Sequence, residues 1–322
     1  RDVAELFRTL YFAVAFYAGS IFALKGNMAE YALNKIMRWS MFTVIIYSGS
    51  SFIFRDLTDD VEVFYGKIDN VVGLRTFAPF ANPYDLALFC LFPTIYSVSS
   101  GKYLRAFVYL VAMIATQSRT GIVLFVLASC VYFVSSKVVR RRMVVFTAPI
   151  FIIGAIGLIY YVKNYQGSNI YLISNTLGLI DGNSTTLSRR YVQWSYLDGM
   201  SFFGWGTISS NDVIIENGLI YELYRCGFLG VYNIIAFYIF PLLLSIYCMY
   251  YFFRNPFVLS VSTIVLLTIV GSMSNVFIYQ PKVSLLYWLF VGLLFQIANQ
   301  SHAARPSVFA RSSGLQTRPS PG

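Results

Sequence analysis

Apolar residues run along this chain in long blocks with the length of a bilayer rather than of a strand. Nine such runs stand out: Leu6 to Leu24, Ile36 to Phe54, Tyr84 to Val98, Tyr103 to Gln117, Thr120 to Ser136, Met143 to Val162, Cys226 to Phe253, Pro256 to Val276 and Val283 to Ala298. Within each run the apolar positions are continuous instead of alternating. They therefore predict helices, which satisfy their own backbone in lipid, and not the strands of a barrel. About 20 residues are needed to cross the hydrocarbon core. The third, fourth and ninth runs are shorter and are expected to borrow flanking residues or to sit where the bilayer thins. The seventh is long enough to tilt or to project beyond the membrane. The expected fold is all-α, a polytopic transmembrane helical bundle of about nine spans.

Two polar stretches interrupt the pattern, 55–83 and the larger 163–225. This divides the chain into helices over 1–162 with an outer loop at 55–83, a large, partly helical extracytoplasmic loop at 163–225, three further spans over 226–298, and a tail at 299–322. In the large loop, Ser184-Thr185-Thr186 offers N-caps for a helix through Met200, with Leu187, Tyr191, Trp194 and Asp198 at helical spacing. Beyond Phe203-Gly204-Trp205-Gly206, Asn211 or Asp212 is placed to cap a second helix that runs through Glu216 and Glu222 to the seventh span. The tail is rich in Ser, Pro, Arg, Gln and Gly and is expected to be disordered and cytoplasmic. It holds His302, the chain's one histidine, which removes histidine from any catalytic scheme.

Composition agrees with the pattern. Apolar residues make up 57% of the chain and charged residues 12%, against about 25% charged in soluble domains, which argues against a water-soluble fold. Charge then sets the expected orientation. With Lys25 to Arg38, Lys102 to Arg105, Lys137 to Arg142, Arg254 and the tail on one side, that side holds 13 of the 24 basic residues and one acid, Glu30. The cluster Lys137, Arg140, Arg141, Arg142 in a short loop marks it as cytoplasmic by the positive-inside rule. The net charge of +10 is thus read as topology. No nucleic-acid partner is expected, because the cations are dispersed among helix ends. Arg1 falls outside in this layout, so an odd number of upstream spans is expected if the natural N-terminus is cytoplasmic. Cys90, Cys130, Cys226 and Cys248 form neither a disulfide framework nor a metal-ligand spacing.

The candidate chemistry lies on the outer side and is dominated by arginine: Arg1, Arg8, Arg55, Arg75, Arg119, Arg189, Arg190 and Arg225. A guanidinium suits forked hydrogen bonding to phosphate oxygens, so a lipid headgroup or lipid diphosphate is a natural partner. Arg119, in the tight turn Thr116-Gln117-Ser118-Arg119-Thr120-Gly121, faces a cavity or a headgroup, or else snorkels to water. Arg75, before Asn82-Pro83-Tyr84, reads more simply as a loop arginine. Arg190 and Trp194, four residues apart on an expected helix, present a charge beside an aromatic plate; the plainer account is an interfacial amphipathic helix. Arg189 points away from that face. Glu216-Asn217 sits in an apolar flank that approaches the membrane, and Glu216 is the general-base candidate, the alternative being a helix-end carboxylate paired with Arg225. Asp56, Asp59, Asp60 and Glu62 read as a solvated acidic loop, so no metal site is expected.

The succession Arg75 with Asn82-Pro83-Tyr84, Ser118-Arg119-Thr120-Gly121, Ser188-Arg189-Arg190 with Trp194, Gly204-Trp205-Gly206, Glu216-Asn217 and Gly227-Phe228-Leu229-Gly230 resembles the bacterial O-antigen ligase/polymerase superfamily over about Arg75 to Gly230. The resemblance implies a glycosyltransferase of the bacterial inner membrane. Its donor is an undecaprenyl-diphosphate-linked oligosaccharide, with no cofactor, nucleotide sugar or essential metal, and with membrane lipids and a chain-length regulator protein as further partners. It also implies that Arg190 and Arg119 hold the donor diphosphate, with Arg75 a weaker match. The ligase branch carries a His where this chain has Glu216, which favours the Wzy-like polysaccharide polymerase branch. The expected roles are catalytic for Glu216, Arg190 and Arg119, and substrate-binding for Arg75, Arg189, Trp194, Asn217, Tyr191 and Arg225. An O-antigen ligase acting on lipid A core and a lipid-linked oligosaccharide flippase or transporter remain the alternatives.

Overall fold

The computed structural model describes residues 2–24, 27–53, 83–116, 118–134, 137–164, 192–198, 202–205, 215–274 and 277–303. Among the described residues the main α-helices in chain order are α1 (Asp2–Leu24), α2 (Asn27–Ile53), α3 (Pro83–Ser99), α4 (Tyr103–Ala115), α5 (Arg119–Phe133), α6 (Lys137–Asn164), α7 (Gly218–Cys226), α8 (Gly230–Ile234), α9 (Phe240–Tyr251), α10 (Pro256–Ser272) and α11 (Pro281–Ala303). No strand occurs among the described residues. Among the described residues, each of the nine apolar runs coincides with helix. Among the described residues, two helical stretches, Gly218–Tyr251 and Lys282–Ser301, are long and apolar enough to cross a membrane by length and composition. Leu10–Leu24, Tyr103–Ala115, Arg119–Phe133 and Pro256–Ser272 are apolar but shorter.

The seventh run differs from expectation. Instead of starting at Cys226, it is continuous with α7: a 3-10 turn at Gly227–Leu229 joins α7 to α8, and a π-helical turn at Ile235–Ile239 joins α8 to α9. The glycines at 227 and 230 do not break the path: Gly227 takes up φ +60° at the end of α7, and Gly230 permits close packing. A Cβ on Gly230 would stand 2.5 Å from the Glu222 carbonyl oxygen, so only glycine lets the chain pass there. The other extension is at the far end, where α11 runs on to Ala303, so that residues 299–303 of the expected tail, His302 among them, are helical.

Core and surface are distributed unusually for apolar helices. From Asp85 to Ser99 α3 is almost wholly buried, and α10 is buried along most of its length. These two form the middle of the bundle. Around them α1, α2, α6 and α9 turn large apolar side chains outward, including Val14, Tyr17, Ile46, Ile153 and Leu243. Small hydroxylated residues lie inside instead. Tyr132 Oη and Ser260 Oγ are 2.6 Å apart, and Ser99 Oγ and Ser260 Oγ are 3.3 Å apart. Where α1 crosses α11, Gly19 meets the Leu289 carbonyl and Gly292 meets the Phe16 carbonyl, so closely that a Cβ at either would overlap backbone. Ser20 Oγ donates to the Gly292 carbonyl oxygen at 3.1 Å. Small residues that admit close backbone approach are how apolar helices associate without a hydrophobic driving force between them.

Contacts fix the helix directions. Phe12 stacks on Trp288 and Phe16 meets Phe295, so α1 and α11 run parallel. Tyr287 bonds the Phe237 carbonyl and Tyr247 bonds Ser301, so the α7–α9 path runs with them. Leu124 packs beside Gly271 while Tyr132 reaches Ser260, which makes α5 and α10 antiparallel. The bundle therefore has two distinct ends. One gathers the turn after α3, the turn after α9 and the C-terminus of α11. The opposite one gathers the turn between α4 and α5, the C-terminus of α10 and the N-terminus of α7.

Candidate functional site

The second of these ends holds a cleft of about 180 Å³, lined by Gln193, Trp194, Glu216, Asn217, Ile220, Met273 and Ser274. Local sequence builds it in steps. Asn217 is extended and caps α7, its Oδ1 accepting from the N–H groups of Leu219 at 2.9 Å and Ile220 at 3.2 Å. Two otherwise orphaned first-turn donors are thereby satisfied. Its Nδ2 donates to the Met273 carbonyl oxygen at 3.0 Å, just past the end of α10. One amide thus starts α7 and ties it to α10.

Behind it, Gln193 is 3% exposed, and its Oε1 accepts from the backbone N–H groups of both Glu216 and Asn217, each at 3.2 Å. This fixes the peptide on which Glu216 is carried. Glu216 itself is half-buried at the cleft, one residue ahead of the cap. Trp194 forms a wall and is 57% exposed. Gly218 explains the tightness beneath: a Cβ there would overlap the Tyr238 hydroxyl and stand 3.1 Å from the Ser272 carbonyl oxygen.

An aromatic shelf lies along the C-terminal half of α7. Trp205 lies nearly parallel to Tyr224 with centroids 6.3 Å apart, and Tyr196 meets Tyr224 edge-on at 6.4 Å. The shelf is pinned by backbone bonds, Trp205 N–H to the Tyr224 carbonyl at 2.9 Å and Phe228 N–H to the Phe202 carbonyl at 3.0 Å. Gly204 turns between them at φ +74°, a conformation that costs other residues strain, and its α-carbon abuts the Arg225–Gly227 backbone. Arg225, in the last turn of α7, sets its guanidinium 5.8 Å from the Tyr221 ring centroid.

Arg119 opens α5 at the same end of the bundle. Ser118 caps that helix, its Oγ accepting from Gly121 N–H at 3.1 Å, and Ser118 N–H in turn bonds Thr116 Oγ1 at 3.2 Å. Gly121 lets α5 close on α3, where a Cβ would come 2.7 Å from that of Ala87. The half-buried Arg119 is thus held by a rigid turn. The antiparallel packing of α5 on α10 brings this turn to the end of the bundle at which Met273 receives Asn217.

The expected helix from Ser184 to Met200 is described only as helix over 192–195, after which Leu197 and Asp198 N–H groups bond back in turns. The second expected helix starts at Gly218, capped by Asn217 and not by Asn211 or Asp212, so Glu216 precedes it. Arg75, Arg189, Arg190 and Tyr191 lie outside the described residues, as do Asp56, Asp59, Asp60 and Glu62. Gln193, Met273 and Trp205 were not among the expected site residues. Compared with known proteins, the chain matches no family model and no curated protein.

Proposed function

We propose that this chain is a multi-pass membrane glycosyltransferase, an O-antigen or exopolysaccharide polymerase that moves a glycan from undecaprenyl diphosphate onto a lipid-linked repeat unit. The observation that carries the reading is a carboxylate, Glu216, held on a fixed peptide in a half-open cleft beside an exposed tryptophan. Arg119 stands at the same end of the bundle, while the basic cluster Lys137 to Arg142 begins α6 at the opposite end. That separation fits a cleft on the periplasmic side of the bacterial inner membrane, with the basic end in the cytoplasm. The outward apolar faces of α1, α2, α6 and α9 fit a lipid surround.

In this reading Glu216 removes the proton from an acceptor hydroxyl as its oxygen attacks the anomeric carbon of the donor. The bond from that carbon to the diphosphate oxygen breaks, the configuration inverts, and the departing diphosphate carries the negative charge. Arg119 and Arg190 stabilise that charge, so no metal is required. Arg75 and Arg189 bind the donor, and Trp194, Tyr191 and Arg225 hold sugar rings and phosphate. Complementation of a strain deleted for this chain's own gene with Glu216→Gln and Arg119→Ala tests this, scored by the glycan ladder at matched expression and, for the purified protein, by movement of lipid-linked repeats between leaflets. Ladders collapsing to single attached repeats are expected. Full ladders from both variants would reject the site, loss of every attached chain would point to a ligase, and repeats moved between leaflets without elongation would point to a flippase.

A further inference from the structure

At the end opposite the cleft, cations from two helices gather where nothing in the proposed chemistry needs them. Lys102 precedes α4, Arg105 lies in its first turn, and Arg38 and Asn34 lie on α2. Lys102 Nζ and Arg105 Nη1 both donate to one neutral acceptor, Asn34 Oδ1, at 3.0 and 3.2 Å. The nearby carboxylate among the described residues, Glu30, is taken by another partner, accepting from Tyr96 Oη at 2.6 Å. Asn34 Nδ2 completes the knot by donating to Tyr96 Oη at 2.8 Å. Three cations are therefore balanced by one acid. Burial holds the Lys102 ammonium below the usual lysine range, Arg105 lowers it further, Glu30 raises it in part, and Arg38 adds to the lowering. On the other side of the same turn, Arg142 packs its guanidinium 3.6 Å from where a Gly101 Cβ would be.

Directly along the helices from these charges the surface turns apolar. Both α2 and α4 run away from this end, since Asn34 meets Lys102 and Met37 meets Tyr109. Their exposed residues include Trp39, Phe42 and Ile46 on α2, and Leu104, Phe107 and Val111 on α4. A free phosphate has no use for such a stripe. A molecule with an anionic head and apolar tails matches both parts.

We infer that the cation cluster where α2 and α4 begin is a binding site for an anionic phospholipid, with Lys102, Arg105 and Arg38 at its phosphate and its chains along the outward apolar faces of these helices. This rests on the membrane reading of the bundle and not on the glycosyl-transfer reading. Each cation near a membrane surface contributes about fivefold in affinity for an anionic headgroup. Their summed effect distinguishes a site from diffuse attraction, because three charges act on one headgroup.

The full-length chain, purified and delipidated in neutral detergent, is titrated with short-chain phosphatidylglycerol and with phosphatidylcholine of identical chains, and bound lipid is counted by native mass spectrometry. Phosphatidylglycerol is expected to bind at least tenfold tighter. The K102Q/R105Q double variant should lose about twentyfold of phosphatidylglycerol affinity and leave phosphatidylcholine unchanged. Arg38→Gln, at an exposed side chain that leaves the Asn34 knot intact, should lose about fivefold and keeps the test clear of misfolding. Equal affinity of the wild-type chain for the two lipids would overturn the inference, as would Arg38→Gln with undiminished phosphatidylglycerol binding. Displacement by inorganic phosphate at equal concentration would assign the site to a free anion instead. A strain that loses its ladder through Glu216→Gln while the protein keeps this lipid preference would leave the inference standing.

Discussion

Replacing Gln193 with alanine removes the acceptor shared by two consecutive amides, those of Glu216 and Asn217. Each bond contributes about 0.5–1.5 kcal/mol net, and a donor left closed off from water costs about 1–3 kcal/mol. The cleft adjoins both amides, so water can enter and hold the cost near the lower figures. The expected loss is about 1–3 kcal/mol of local stability, localised to the start of α7. At 1.4 kcal/mol per tenfold, amide exchange at Glu216 and Asn217 should accelerate by about five- to a hundredfold. Hydrogen-exchange mass spectrometry on peptides spanning 213–220 measures this in detergent, with peptides from α10 as an internal standard. Gln193→Glu keeps an oxygen acceptor at the same reach and should retain most of the protection. Unchanged exchange in the alanine variant, or equal loss in the glutamate variant, would refute the assignment of Gln193 as the support beneath Glu216.

Gly218→Ala should destabilise by about 1–3 kcal/mol through overpacking against Tyr238 and the Ser272 carbonyl. Tyr238→Phe removes a buried hydroxyl that has no hydrogen-bond partner among the described residues, and should be neutral or slightly stabilising. The double variant should then recover part of the Gly218→Ala loss, read as thermal midpoints in detergent; strict additivity would show that the two do not touch. Gly292→Val should separate α1 from α11 and cost at least about 3 kcal/mol, because its Cβ falls on the Phe16 backbone. A cysteine pair engineered across that crossing should lose its crosslinking in the same variant.

Much of the helix pattern was legible because hydropathy and helical periodicity act locally. Among the described residues all nine apolar runs coincide with helix, and the turns after α3, α4 and α9 lie where polar residues punctuate the sequence, with Gly101 in the first of them. Pairings across the chain were not legible. Gln193 carries no pattern that distinguishes it from any loop glutamine, and its role exists only because 193 and 216 meet. By type alone Asn211 and Asp212 are as good caps for this helix as Asn217. The choice is made by the second bond to Met273, 56 positions on. The apolar run by itself begins at Cys226, with a separate helix through Glu216 and Glu222 leading to it. Glu222 is nevertheless wholly buried and accepts from Asn233 Nδ2 at 2.9 Å, an exchange of polar groups that lets the helix continue through both.

Glu216 and Asn217 are neighbours with separable duties, and their hydrogen bonds show how. Asn217 spends its side-chain oxygen on two backbone donors and one amide hydrogen on Met273, which leaves a single amide hydrogen for anything in the cleft. Its chief contribution is to start α7 and to fasten it to α10; losing such a cap costs about 0.5–2 kcal/mol whatever the protein does. Glu216 is tied through its backbone N–H, which no side-chain substitution removes. A change from carboxylate to carboxamide there keeps the shape and the peptide anchoring while abolishing the ability to take a proton. A lost ladder in Glu216→Gln with normal exchange protection over 213–220 therefore speaks for chemistry. A lost ladder in Asn217→Ala accompanied by lost protection speaks only for the scaffold that holds the carboxylate in place.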